Sequence, residues 1–170
     1  WLVYRQLSNM NQAEERLRYA LNASGDGVWD WDVPSSKVWY SKQLQTMLGY
    51  EDGEFSNSLD EWSSRVHQDD IESVMNELQL HLDGKTDSYI SEHRIRCKNG
   101  RYKWIYDSGR VITRDENGHP VRVVGTHSDI TTRKEADEKL KLASVVFTHA
   151  YEGILVTDVD NKIIEINEAF

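Results

Sequence analysis

VVGTHSDITTRKEADEKL, residues 123–140, is the stretch that decides the fold. A β-branched strand runs to Asp129-Ile130-Thr131 and passes, with no Gly or Pro between, into a charged amphipathic helix. Thr132 and Glu135 have capping-box spacing, and Ala136, Leu140, Ala143 and Phe147 continue a heptad. A sheet whose last strand feeds straight into a helix can pass a displacement from one to the other.

Working back from this exit, three strands are predicted over 88–98, 101–114 and 121–129. Asn99-Gly100 and Asp115-Glu116-Asn117-Gly118 join them as hairpin turns. A helix precedes them, with Asp69 and Glu72 at capping-box spacing, Ile71, Val74, Met75, Leu78 and Leu82 as its buried face, and Gly84 as its end. Upstream, Val28–Val33 and Lys37–Tyr40 read as a hairpin about Pro34-Ser35-Ser36, and Ser41 caps a short helix that stops at Gly49. Two strands, helices, then three strands make an α+β layout with an antiparallel sheet.

Residues 1–22 read as a linker helix with a heptad seam of Val3, Leu7, Met10, Leu17 and Leu21, interrupted by Glu14. Its first residues, Trp1-Leu2-Val3-Tyr4-Arg5, fit either the cytoplasmic end of a membrane helix or a plain amphipathic start. Leu17–Asp32 reappears loosely as Leu142–Asp158, with Gly27 against Gly153. The expected organisation is 1–22 coiled-coil linker, 23–131 complete domain, 132–148 signalling helix, and 149–170 the opening of a second copy.

Composition excludes several classes. A net charge of −9 without a basic stripe argues against a nucleic-acid partner. One cysteine among 170 residues rules out an internal disulfide. With no nucleophile elbow, phosphate loop, HExxH or CxxC, no residues stand out for catalysis.

These residues resemble the PAS superfamily. The carriers are Gly27-Val28-Trp29-Asp30-Trp31-Asp32, Leu48-Gly49-Tyr50, Val66-His67-Gln68-Asp69-Asp70, Glu92-His93-Arg94-Ile95-Arg96, Asn99-Gly100, Trp104, and Asp129-Ile130-Thr131. Gln68 stands where this subgroup usually has Pro. Glu152-Gly153-Ile154, Val156-Thr157-Asp158 and Asn167-Glu168-Ala169-Phe170 look like the start of a second such domain. The resemblance implies a five-stranded sheet of order 2-1-5-4-3 and a cytoplasmic sensory and dimerisation module of a bacterial-type signalling protein. The output it implies is a histidine kinase or a GGDEF/EAL enzyme acting on cyclic di-GMP. An inner-membrane anchor upstream follows only on the first of the two readings of Trp1–Arg5.

Trp31, Trp62, His93 and Trp104 are the candidate ligand-binding residues, and Asp129, Ile130 and Thr131 the candidates for transmission. His93 falls between apolar neighbours on a face shared by Tyr89, Ser91, Ile95 and Cys97. The tryptophans either wall an apolar pocket or fill it, and in the second case the domain is a ligand-free spacer that only dimerises and transmits. No cofactor is assigned; haem and flavin are alternatives. Cys97, near a strand end, is poorly placed for a flavin adduct, and His81, at the margin of its helix, reads as a solvated residue rather than a haem ligand. His67, Asp69 and Asp70 read as helix-entry residues, so no metal is expected.

Overall fold

The computed structural model describes residues 23–170. The linker helix and the Trp1–Arg5 segment lie outside the described residues. The chain divides after Ile130 into two compact units.

The first unit is built on β1 (Gly27–Asp32), β2 (Lys37–Tyr40), α1 (Lys42–Met47), α2 (Leu59–Ser63), α3 (Ile71–Leu82), β3 (Tyr89–Arg96), β4 (Tyr102–Arg114) and β5 (Pro120–Asp129). The five strands form one antiparallel sheet of order β2-β1-β5-β4-β3, the order that the resemblance implies. Alternation puts Trp29, Trp31, Val38, Tyr40, Tyr89, Ser91, His93, Ile95, Ile105, Asp107, Val123 and His127 on the buried face, where the helices add Leu44, Trp62, Val74 and Leu78.

A cross-strand pair of glycines shapes the floor of this core. Gly109 faces Gly125, and Trp29 pairs with Gly125 from the other side. The Trp29 indole lies over both: a Cβ on Gly125 would fall 2.2 Å from Trp29 Cζ2 and 2.3 Å from Ser108 O, and one on Gly109 2.5 Å from Trp29 Cη2. Only a missing side chain lets the ring lie this low on the sheet.

Three local expectations need correcting. Asp69 does not open α3. Asp70 holds the N-cap position and makes no side-chain cap; its carboxylate instead accepts from Arg94 N and Nε at 2.9 Å and from Nη2 at 2.6 Å. A forked, charge-assisted pair outweighs a neutral cap, and it holds the Asp70 carboxyl below its usual range. Met75 is exposed, because the buried stripe of α3 is Val74, Leu78 and His81. His81 is therefore not solvated but 4% exposed. Its Nδ1 lies 2.9 Å from Thr86 O, and its Nε2 accepts from Val111 N–H at 3.0 Å. Val111 sits beside the register shift in β4, which releases its N–H from the ladder.

The second unit holds α4 (Thr131–His149) and a hairpin of β6 (Leu155–Thr157) and β7 (Ile163–Ile166). The hairpin repeats details of β1–β2 at an offset of 126 residues. Trp29↔Tyr40 and Asp30↔Trp39 correspond to Leu155↔Ile166 and Val156↔Glu165. Val28 N–H donates to Ser41 Oγ and Ser41 N–H to Val28 O, both at 2.9 Å. Ile154 N–H likewise donates to Asn167 Oδ1 at 2.7 Å, and Asn167 N–H to Ile154 O at 3.1 Å. Gly27 packs under Leu44, and Gly153 under Phe170 at the same spacing. The match ends at a register shift between Val156 and Thr157.

Candidate functional site

The buried face of the sheet and helices α2 and α3 enclose a cavity of about 30 Å³, lined by Trp29, Trp31, Val38, Tyr40, Leu59, Trp62, Leu78, Tyr89, Asp107 and His127. Two of the four candidate ligand residues, Trp31 and Trp62, line it. His93 lies just behind, its ring 5.8 Å from Trp62 and 6.3 Å from His127, edge to face with both. Trp104 is not with them. It falls on the other face of β4 from Ile105 and Asp107, with the Arg94 guanidinium over its ring at 5.3 Å.

The polar centre of the site is Asp107, 2% exposed. Trp29 Nε1–H donates to its Oδ1 at 2.8 Å, Tyr89 OH to its Oδ2 at 3.2 Å, and His127 Nε2 lies 3.1 Å from Oδ2. Donors from β1, β3 and β5 thus converge on one carboxylate of β4, so this cluster ties together four of the five strands. Burial, with the nearby Asp107 charge as a second cause, pushes the Tyr89 phenol well above its ordinary value. Neither Asp107 nor His127 was among the residues the sequence brought forward.

His93 is fully buried, and neither ring nitrogen has a hydrogen-bond partner among the described residues. Burial lowers its pKa from 6.5 to about 4; the Asp107 carboxylate pulls the other way and is outweighed. The unfolded chain takes up this proton near pH 6.5, the folded chain only near 4. His93 therefore costs no stability above pH 6.5, costs more as pH falls through that window, and levels off below about 4. At about 1.4 kcal/mol per pH unit the loss is about 2 kcal/mol by pH 5. We expect urea midpoints to fall between pH 7 and pH 5 and His93→Phe to flatten that slope; an unchanged slope in the variant would refute the assignment.

Neither cofactor alternative fits these residues. A cavity of about 30 Å³ is far below the roughly 300–1,000 Å³ of sites for larger ligands. Cys97 lines a separate surface groove with Leu48, Gly49 and Lys98, and burial raises its thiol pKa. Both ring nitrogens of His81 are committed to backbone groups. Among the described residues, no group of three or more His, Cys, Asp or Glu is arranged to hold a metal, and no helix is long and apolar enough to cross a membrane.

The exit is braced from two sides. Lys103 Nζ lies 2.8 Å from Asp129 Oδ2 and donates to Met47 O at 2.9 Å, while Ile130 N–H donates to Trp104 O at 2.9 Å. The end of β5 is thereby pinned to β4 and to the last turn of α1, one residue before α4 begins.

A family model described as "PAS fold" matches residues 37–127. The methyl sulfide methyltransferase-associated sensor of Methanosarcina acetivorans is 26% identical over 147 residues, covering 86% of this chain and 15% of its own length. The chain therefore spans about a seventh of that relative. A sensory box histidine kinase/response regulator from Burkholderia thailandensis superposes with a TM-score of 0.68 at 29% identity, over 76% of this chain and 95% of that one. The N-terminal domain of a diguanylate cyclase with PAS/PAC sensor from Marinobacter aquaeolei gives 0.57 at 24% identity, over 64% and 98%, a likeness of fold alone.

Proposed function

The chain belongs to the PAS fold family, a class of sensory, non-catalytic modules, and on that premise we propose that it transmits the state of its core cavity to an output enzyme in a longer signalling protein. Its neighbours make a histidine kinase the first candidate for that output and cyclic di-GMP synthesis or breakdown the second. The carrying observation is the braced exit: β4 and α1 both grip the last residues of β5, so a shift in either reaches the start of α4. Asp129 and Thr131, with Ile130 between them, are the proposed transmission residues.

We further read the terminal helices as a homodimer contact and residues 149–170 as the opening of a second copy of the domain. Leu140, Val145 and Val146 on α4 are exposed, which supports self-association through this helix. The paired hydrogen bonds and registers of β6–β7 and β1–β2 support the second copy.

In the full-length protein, Asp129→Ala is expected to abolish the input-dependent change in output while costing the fold about 1 kcal/mol or less, since its ion pair is partly exposed. Leu140→Glu is expected to shift sedimentation toward the monomer. Unaltered regulation in the first variant, with retained circular dichroism, would sink the transmission reading; an unaltered dimer in the second would sink the helix contact. For the second copy, Asn167→Ala should speed amide exchange across Ile154–Thr157 about ten-fold by untying the Ile154 N–H, an effect of about 1.4 kcal/mol. Equal exchange would mean that the hairpin does not rely on this cap.

A further inference from the structure

We propose that the core cavity takes a small neutral molecule carrying one hydroxyl, of the short-chain alcohol class. This rests on the sensory reading above and names the chemistry of the same site.

Trp31 Nε1, Trp62 Nε1 and His127 Nδ1 are buried without a hydrogen-bond partner among the described residues, and all three residues line the cavity. Both tryptophans are 7% exposed and His127 is 2%. An indole nitrogen is a donor only. In the tautomer whose Nε2–H donates to Asp107 Oδ2, Nδ1 is an acceptor. Two donors and one acceptor are the complement of a hydroxyl, whose oxygen accepts twice and donates once. Leaving such groups unmet is unfavourable, so a ligand that meets them gains affinity from the same deficit.

The remaining wall selects the rest of the ligand. It consists of ring surfaces with Val38, Leu59 and Leu78, and of the already hydrogen-bonded Asp107. A volume of about 30 Å³ exceeds the roughly 10–15 Å³ that one water needs, and a second water would meet no further unpaired polar atom on the lining residues. A methyl or ethyl group suits that second space. An anion is disfavoured by the Asp107 carboxylate in the same wall. A cation would leave the two indole N–H groups unmet. Trp29, seated on Gly109 and Gly125 and tied to Asp107, sets the upper limit on size.

The test is a titration of the isotope-labelled 170-residue chain, with indole N–H resonances as the readout. Methanol and ethanol should move the Trp31 and Trp62 signals saturably, with half-saturation on the order of millimolar, near the ceiling for so few heavy atoms. The Trp29 signal, already bonded to Asp107, should move less. Trp62→Phe should weaken binding about ten-fold while keeping the ring. Saturable shifts with methylammonium but not methanol would overturn the proposal in favour of a cation. Shifts linear in every alcohol, or butanol binding as tightly as methanol, would also overturn it. If alcohols fail while Asp129→Ala still uncouples output, this inference falls and the transmission reading stands.

Discussion

Trp29→Ala is expected to lower the unfolding free energy by about 4 kcal/mol, among the largest effects available to a single substitution in this chain. The indole fills the floor of the core over two glycines that cannot close the gap, so the cavity left behind would persist rather than collapse. The substitution also removes one of the three donors on Asp107. Chemical denaturation at pH 7 measures the loss, and added indole should restore part of it by occupying the space. The reciprocal change, Gly125→Ala, should cost about 1–3 kcal/mol by overpacking, because Ser108 O and the Trp29 ring both stand closer than a Cβ tolerates. A small effect in both variants would show that the floor adapts, and the size limit ascribed to Trp29 would fall with it.

Asp107→Ala should cost a similar amount, about 3–5 kcal/mol, for a different reason. It removes the acceptor shared by Trp29 Nε1, Tyr89 OH and His127 Nε2, leaving three buried groups unsatisfied at about 1–3 kcal/mol each before relaxation. A double-mutant cycle with Tyr89→Phe separates this from packing. If the carboxylate is the hub, Tyr89→Phe should cost far less in the Asp107→Ala background than alone. Strict additivity would mean the two groups do not communicate.

The sheet was legible because its punctuation is local. Gly100 and Gly118 both take positive φ, as the hairpin turns they mark require, and Ser41 caps α1 as read. The strand order came from family resemblance, since hairpin signals alone do not say that β1 inserts beside β5. His93 was visible by alternation along β3. The same parity would have removed Trp104, which is one residue out of step with the buried Ile105. Asp107 and His127 carried little signal: each is a polar residue in a mixed strand, and their burial depends on partners from other strands. Asp107 lies 78 positions from Trp29 and 18 from Tyr89. His81 was misread because its partner is an N–H freed by an irregularity in β4, and nothing in the helix's own pattern reports a bulge on a strand 30 residues away. The repeat between Leu17–Asp32 and Leu142–Asp158 was readable in outline, whereas the matching hydrogen bonds of the β1–β2 and β6–β7 hairpins needed coordinates.

Both side chains of the Lys103–Asp129 brace are about one-third exposed, so solvent ions reach the pair and weaken it. An output wired through such a joint would respond to ionic strength as well as to cavity contents. Raising potassium chloride should loosen the coupling in the native protein and change nothing further in Asp129→Ala. The residue proposed to carry the message would then also set how loudly it is heard in a cell whose salt content changes.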